Sequence, residues 1–243
     1  MAACADHGLH CFDLSSKLDV DGQNTIGRLT RQLHSKRFGH SDWVTSVAML
    51  PDGRVLSGGQ DSKLCLWNSS GVACKDLNGH SSAVSAIAVG DNDHAMSASY
   101  DTTVRCWNVS AKGADSGMEC VCLRGHTAPV LDVTWGPGGV ALSGDRAGVG
   151  ILWDVATGEI IHELPGHGGH VTVVCGAMPP GDQTPVFLTG AQDGVLRVWD
   201  ARANGCIATC PLHNHGQRGA VTKNDELCIK NEELCIRTEE LCI

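Results

Sequence analysis

The stretch GHSSAVSAIAVGDNDHAMSASYDTTVRCWN, residues 79–108, decides the fold. It begins with a Gly-His pair and continues to Ser97, Asp101 and Trp107, with the Asp six residues before the Trp. The same order of residue types recurs upstream and downstream. In four copies the hydroxyl lies ten residues before the Trp, and in three of them it lies seventeen residues after the His. These fixed intervals indicate a chain built from repeats.

Each repeat supplies a His, a hydroxyl and a Trp, and three of the four also supply the Asp. The sets are His40, Ser57, Asp61 and Trp67; His80, Ser97, Asp101 and Trp107; His126, Ser143 and Trp153; and His167, Thr189, Asp193 and Trp199. A period of about 40–45 residues with Gly-His and Trp-Asp marks is typical of one four-stranded propeller blade per repeat. On these residues the chain resembles the WD40 family over about residues 2–215. The resemblance implies that the four residue types hydrogen-bond to one another within a blade as a structural clamp.

We therefore predict an all-β fold, a WD40 β-propeller with four complete blades and partial blades at both ends. The four repeats are expected at about residues 40–78, 80–124, 126–165 and 167–212, within a span of 39–215. Residues 1–38 align with the second half of a repeat and predict strands c and d of a partial first blade. Since WD40 rings usually have seven blades, the resemblance implies a fragment or a truncated variant.

The last residues, 216–243, begin a further repeat and then run into a seven-residue tandem, NDELCIK NEELCIR TEELCI. Leu, Cys and Ile are consecutive in each unit, so a helix would not place them on one narrow seam and a coiled coil is not expected. The composition predicts a low-complexity, disordered tail, with a short amphipathic helix as the alternative.

The third repeat departs from the pattern at its clamp. Ala147 occupies the position six residues before the Trp, and Asp145 lies two positions earlier. We therefore expect His126 and Ser143 to lack their carboxylate. An unmade buried hydrogen bond costs on the order of 1–3 kcal/mol, so this blade should be looser than the others.

Composition and charge exclude several classes of function. The formal net charge is −9 and no basic run occurs, which disfavours nucleic acid as a partner. No apolar run approaches eighteen residues and the N-terminus lacks the pattern of a signal peptide, so neither a membrane span nor secretion is expected. The thirteen cysteines then read as reduced core residues of an intracellular protein, located in the cytoplasm or in the nucleus.

His, Ser and Asp are also the residue types of a nucleophilic triad, but a catalytic Ser needs an exposed, strained position. Here the full set occurs three times, each with a Trp, so we predict a protein that is not an enzyme. A hydrolase or a zinc-dependent enzyme is the less favoured alternative.

The zinc-binding residue types occur in Cys206-x3-Cys210-x2-His213-x-His215, whose spacing is not that of a usual zinc finger. Cys120-x-Cys122 fits alternate residues of one strand. No cofactor and no metal site is predicted.

The resemblance also implies a binding face. In WD40 proteins the residues that flank the first Val of each repeat, and the residue before the Asp, point to one rim of the disc. By position these are Trp43, Thr45, Gln60, Ser85, Tyr100, Leu131, Arg146, His170, Thr172 and Gln192. Trp, Tyr and Arg are enriched at interface hot spots, so we predict a scaffold whose rim binds a protein or peptide partner.

The segment Trp199-Asp200-Ala201-Arg202 supports an alternative partner. WD40 substrate receptors of cullin-type ubiquitin ligases resemble one another in a Trp-Asp-x-Arg box at the end of a blade. On that resemblance, Asp200 and Arg202 would contact the ligase adaptor. A solvated loop after many WD40 blades also contains a basic residue, which leaves the box with modest specificity.

Overall fold

The computed structural model describes residues 2–3, 9–13, 17–18, 24–25, 28–33, 39–71, 73–90, 93–111, 116–177, 185–200, 205–211, 227–228 and 235–236. Within these ranges nearly every element is a β-strand, and the only helix there is a 3-10 turn at Pro137–Gly139. Four antiparallel sheets of four strands follow one another along the chain. The prediction of an all-β WD40 propeller is confirmed by this architecture.

Five short strands come first: β1 (Ala2–Ala3), β2 (Leu9–Asp13), β3 (Lys17–Leu18), β4 (Asn24–Thr25) and β5 (Arg28–Leu33). Strands β1, β2 and β5 form one three-stranded sheet, and β3 pairs with β4. This sheet has one strand more than the two predicted for residues 1–38, because Ala2 and Ala3 pair with His10 and Leu9.

The first two complete sheets contain β6 (Val44–Met49), β7 (Val55–Gly59), β8 (Lys63–Trp67) and β9 (Cys74–Asn78), then β10 (Val84–Val89), β11 (His94–Ser99), β12 (Thr103–Asn108) and β13 (Glu119–Arg124). The next two contain β14 (Val130–Trp135), β15 (Val140–Asp145), β16 (Gly150–Asp154) and β17 (Glu159–Leu164), then β18 (Val171–Ala177), β19 (Val186–Ala191), β20 (Val195–Asp200) and β21 (Cys206–Pro211). In each sheet the strands are neighbours in chain order. We call these sheets blades 1 to 4.

A last pair of two-residue strands, β22 (Leu227–Cys228) and β23 (Cys235–Ile236), lies in the seven-residue tandem. The remainder of the predicted disordered tail, and the predicted start of a fifth repeat, lie outside the described residues. No helix in the described part of the chain is both long and apolar enough to cross a membrane.

The core lies between blades. One buried cluster joins Met96 and Val104 of blade 2 to Val130 and Val133 of blade 3. Similar clusters join blade 1 to blade 2, blade 3 to blade 4, and the N-terminal sheet to blade 1. Alternate residues of a strand point to opposite faces, so each sheet can contribute to two clusters at once.

Close approach between blades depends on glycine. A Cβ added at Gly58 would lie 2.5 Å from Val84 Cγ1, and one added at Gly144 would lie 2.3 Å from Val171 Cγ1. Each of these glycines directly follows the clamp hydroxyl, and each valine begins the innermost strand of the next blade. The small residues after the hydroxyl therefore set the distance between neighbouring sheets.

Candidate functional site

In each blade a buried histidine connects the repeated side chains. In blade 2, His80 Nε2 lies 2.7 Å from Ser97 Oγ and His80 Nδ1 lies 2.9 Å from Asp101 Oδ2. Trp107 Nε1 donates to the same Ser97 oxygen over 2.8 Å. Because an ionised carboxylate can only accept, Nδ1 carries the imidazole proton and Nε2 accepts from the serine hydroxyl. A continuous chain of hydrogen bonds thus runs from the indole to the carboxylate.

Blades 1 and 4 contain the same arrangement. His40 bonds to Ser57 over 2.8 Å and to Asp61 over 2.9 Å, and Trp67 Nε1 donates to Ser57 over 2.9 Å. In blade 4 the corresponding partners of His167 are Thr189, at 2.8 Å, and Asp193, at 3.2 Å, while Trp199 Nε1 donates to Thr189 over 2.8 Å.

Blade 3 has a complete clamp, so the prediction that His126 lacks a carboxylate is wrong. His126 Nδ1 lies 2.9 Å from Asp145 Oδ2, and its Nε2 lies 2.7 Å from Ser143 Oγ. Trp153 Nε1 completes the set by donating to Ser143 over 2.8 Å. Asp145, at the end of β15, is 1% exposed and also accepts from the Ala147 amide.

The geometry of blade 1 explains why an aspartate at this earlier position works. A Cβ added at Gly59, which aligns with Asp145, would lie 2.5 Å from His40 Nδ1 and 2.6 Å from Asp61 Oδ1. A side chain at that position therefore starts beside the histidine. In blade 3 it carries the carboxylate itself, so the expected looseness of this blade loses its basis.

Burial sets the protonation of the clamp histidines. It lowers the pKa of His80, His126 and His167, against the hydrogen bonds from Nδ1 to the aspartates. Burial alone would raise the pKa of Asp101, but hydrogen bonds from Thr103, the Ser81 amide and His80 outweigh it and hold that pKa at about 2. The folded clamp of blade 2 therefore combines a neutral imidazole with an ionised carboxylate.

The clamp hydroxyls are out of reach of any substrate. Ser57, Ser97, Ser143 and Thr189 are each 0% exposed. Every one of these oxygens already accepts from a Trp indole and contacts a His nitrogen. A catalytic hydroxyl must be able to contact the carbonyl carbon of a substrate, and these buried hydroxyls cannot. The His-Ser-Asp sets therefore have a structural role.

The predicted rim positions share one end of the blades. In each blade a backbone amide, that of the residue before the turn, donates to the carbonyl of the residue before the first Val. The pairs are Gln60 to Trp43 at 2.8 Å, and Tyr100 to Ala83, Arg146 to Pro129 and Gln192 to His170 at 2.9 Å each. The side chains of Trp43 and Tyr100 are 54% and 47% exposed. Gln60, Arg146 and Gln192 are also exposed.

The other rim positions are engaged in contacts within and between blades. Thr45 Oγ1 and Ser85 Oγ donate to the carbonyls of Val84 and Val130, each in the following blade. The remaining contacts are Thr172 Oγ1 to Gly190 O at 3.4 Å within blade 4, and His170 Nδ1 to the Arg146 carbonyl between blades 3 and 4. Leu131 is partly buried.

A buried aspartate that the sequence analysis did not single out also joins two blades. Asp132 on β14 is 3% exposed, and its Oδ2 accepts from the Val174 amide of blade 4 over 2.9 Å. Ser46 Oγ of blade 1 accepts from the Ile87 amide of blade 2 in the same way, over 3.1 Å. The signal in the sequence was a charged residue within the apolar run VLDVTW.

Asp200 of the Trp-Asp-x-Arg segment ends β20, where it pairs with Val186. That pair lies at the end of blade 4 opposite the rim. Ala201 and Arg202 lie outside the described residues.

Only part of the Cys-His segment is described. Cys206 and Cys210 both lie on β21, where they pair with Trp199 and Leu196. Cys210 packs against the apolar cluster of blade 4, and Cys206 Sγ lies 2.9 Å from Ala208 O. His213 and His215 fall outside the described residues. Cys120 and Cys122 occupy alternate positions of β13.

The sequence model for the family described as "WD domain, G-beta repeat" matches residues 30–68, 71–108 and 158–200. Residues 109–157, which hold the blade 3 clamp with its displaced aspartate, lie between the matched segments.

Several curated proteins resemble part of the chain. Denticleless protein homolog B of Xenopus laevis is 40% identical over 82 residues, covering 32% of this chain and 11% of that protein. Protein lethal(2)denticleless of Drosophila melanogaster is 39% identical over 82 residues, covering 32% of this chain and 10% of that protein. WD40 repeat protein poxJ of Penicillium oxalicum is 31% identical over 103 residues, covering 42% of this chain and 29% of that protein.

The alignment thus spans about a tenth of the Denticleless proteins and less than a third of the fungal relative. The likeness lies at the level of the repeat. Four clamped, four-stranded sheets and three matched segments together show that this chain belongs to the WD40-repeat family of β-propeller proteins.

Proposed function

We propose that this chain is a scaffold that binds a protein or peptide partner on a rim surface formed by Trp43, Gln60, Tyr100, Arg146 and Gln192. The observation that carries the proposal is the exposure of Trp43 and Tyr100 at equivalent ends of two adjacent blades. Backbone hydrogen bonds hold both residues on the rigid sheets. Aromatic side chains on a rigid support lose little entropy on binding, which suits them as anchors.

The chemistry of the rim surface favours a partner with an apolar and an acidic group. Trp43 and Tyr100 offer apolar area, while Arg146, exposed two blades along from Trp43, offers a guanidinium that pairs with carboxylates. Gln60 and Gln192 add amide donors and acceptors at the same level. An extended acidic peptide with an apolar anchor residue would match this order of side chains.

A peptide-display library panned on the full chain tests the rim surface, with counter-selection on a Trp43→Ala/Tyr100→Ala double variant. Selected peptides should lose affinity by about 30-fold or more in either single variant, the size of a hot-spot residue. Met49, which is 59% exposed at the opposite end of blade 1, provides the control: Met49→Ala should bind as the wild type does. Peptides that bind all of these variants equally would contradict the proposal.

A second proposal concerns the opposite end of blade 4. Asp200, partly exposed at the end of β20, belongs to the Trp-Asp-x-Arg segment that resembles the adaptor-binding box of cullin-type ligase receptors. Docking there would leave the rim surface open for a substrate, because the two lie at opposite ends of the sheets.

Co-precipitation with a purified ligase adaptor tests this second proposal. The variant Arg202→Ala should abolish capture, while Arg124→Ala, which removes an equal charge at the end of β13, should leave it intact. Equal capture by both variants would show that the Trp-Asp-x-Arg segment does not bind the adaptor. That result would not affect the proposal for the rim surface.

A further inference from the structure

Three potential metal ligands meet on one face of the outer half of blade 1. Cys65 lies on β8, and Cys74 and Asp76 lie on β9. Cys65 is paired across the strands with Asp76, and Trp67 with Cys74, so residues two apart place their side chains on the same face of the sheet. The ligand atoms of all three lie within 4.8 Å of one another. We call this group the Cys-Cys-Asp cluster.

The distances in the cluster match the edges of a tetrahedral zinc centre. Asp76 Oδ1 lies 3.6 Å from Cys65 Sγ and 3.7 Å from Cys74 Sγ. With Zn–S bonds of about 2.3 Å and a Zn–O bond of about 2.1 Å, tetrahedral geometry separates sulfur and oxygen by about 3.6 Å. The strands hold the ligand atoms at this separation.

A lysine orients the carboxylate and balances the charge. Lys63 Nζ donates to Asp76 Oδ2 over 2.8 Å, which leaves Oδ1 facing the two sulfurs. Two thiolates and one carboxylate carry three negative charges, and a divalent cation together with the Lys63 ammonium carries three positive ones. A loaded cluster is therefore neutral overall, which suits its position beside the apolar contact with Leu9 and Leu33.

A disulfide fits the same pair of cysteines less well. Cys65 and Cys74 are diagonal neighbours, two positions apart on antiparallel strands with the Leu66–Lys75 pair between them. Such positions have Cα atoms roughly 7–8 Å apart, beyond the roughly 4.4–6.8 Å that a disulfide spans. A metal ion can bridge two sulfurs that the backbone keeps too far apart for a direct bond.

The cluster is a feature of one blade rather than of the fold. The positions that align with Cys65, Cys74 and Asp76 are Arg105, Glu119 and Cys122 in blade 2, Ile151, Ile160 and Glu163 in blade 3, and Arg197, Cys206 and Thr209 in blade 4. None of these sets offers two sulfurs and a carboxylate. The clamp recurs in all four blades because the fold requires it, whereas this cluster does not recur in blades 2 to 4.

We propose that Cys65, Cys74 and Asp76 bind a zinc ion, with the fourth coordination position left for water. Cys65 is 0% exposed and supplies a ligand shielded from water, while the partly exposed Cys74 and the exposed Asp76 let the ion reach the site. From the sequence alone Cys65 is predicted to be an ordinary core cysteine, because its two partners follow nine and eleven residues later on another strand.

Cobalt titration of the reduced, chelator-treated full chain tests the proposal. Thiolate-bound Co²⁺ absorbs in the near ultraviolet, so the wild type should show a charge-transfer band. The contribution of this cluster should reach its full intensity when one Co²⁺ ion is bound there, and it should disappear when Zn²⁺ is added. Because the chain has thirteen cysteines, the assignment rests on variants. Cys74→Ser and Asp76→Asn should each weaken Zn²⁺ binding by more than about 100-fold, since even outer-shell partners contribute roughly 10–100-fold.

Blade 2 offers the matched control. Cys120 lies on β13, the outer strand that corresponds to β9, and is exposed. The variant Cys120→Ser should keep the wild-type affinity. Equal Zn²⁺ affinity in the wild type, Cys74→Ser and Asp76→Asn would overturn the proposal, as would an equal loss in Cys120→Ser. Asp76 is exposed, so Asp76→Asn should unfold at the wild-type temperature without metal, which separates loss of binding from loss of the fold.

Discussion

At the scale of single residues, the blade 3 clamp shows that the aspartate can occupy either of two positions in the repeat, provided that its carboxylate oxygen lies within hydrogen-bond distance of the histidine. Asp145 reaches His126 from the strand end, whereas Asp61 and Asp101 reach their histidines from the turn. The repeat spacing predicted the residue types of the clamp. The spacing does not show that a side chain at position 145 lies close to His126, so the role of the displaced aspartate was not predicted.

The displaced aspartate can be moved back. Asp145→Gly should destabilise the chain by about 1–3 kcal/mol, because His126 then loses its buried partner. Adding Ala147→Asp recreates the order of residues found at Gly59 and Asp61 in blade 1 and should recover most of that loss. Urea unfolding of the wild type, the single variant and the double variant measures both steps. A double variant no more stable than Asp145→Gly would show that the two positions are not interchangeable.

The protonation of the clamps makes stability sensitive to acid. The pKa of His80, His126 and His167 is lowered in the fold, so the unfolded chain binds protons first and stability should fall as the pH drops below about 6.5. The lowered pKa of Asp101, about 2, acts in the same direction: its contribution is complete above the unfolded value and is lost as the pH falls through the folded one. Urea midpoints should therefore be level between about pH 8 and pH 7 and should decline from there to about pH 5. A constant midpoint over that range would contradict the neutral imidazoles.

At the scale of elements, alternation and turn residues predicted the strands, and the spacing of the Trp residues predicted the sheets. The number of strands in the N-terminal sheet was less predictable, since a two-residue strand such as Ala2–Ala3 is specified by its partner rather than by its own pattern. The short distance between neighbouring sheets was also not predictable, because it depends on which residue of one blade contacts the first valine of the next.

That closeness gives a test on the glycines. Gly144→Ala and Gly58→Ala each insert a methyl group into contact with a valine of the next blade and should destabilise by about 1–3 kcal/mol. Gly205, which has no atom within 4 Å of an added Cβ, provides the control, and Gly205→Ala should change the midpoint little. If all three variants had equal midpoints, the glycines would not set the spacing between blades.

At the scale of the whole molecule, the buried clusters and the polar contacts both cross from one blade to the next. A blade that opens exposes the apolar faces of its neighbours, so the described blades should unfold together. The sequence predicted the number of complete blades, while these links between blades involve residues that no repeat rule marks, such as Ser46 and Asp132.

Asp132 tests whether such a link carries the coupling between blades. In Asp132→Ala the Val174 amide of blade 4 loses its acceptor in a buried position, which should cost about 1–3 kcal/mol. Asp132→Asn keeps a carbonyl oxygen at the same place and should cost less. Because the clusters tie blades 3 and 4 to the rest, calorimetry should show one transition at a lower temperature for Asp132→Ala. A second, separate transition in that variant would mean that the blade 3 to blade 4 junction unfolds independently of the other blades.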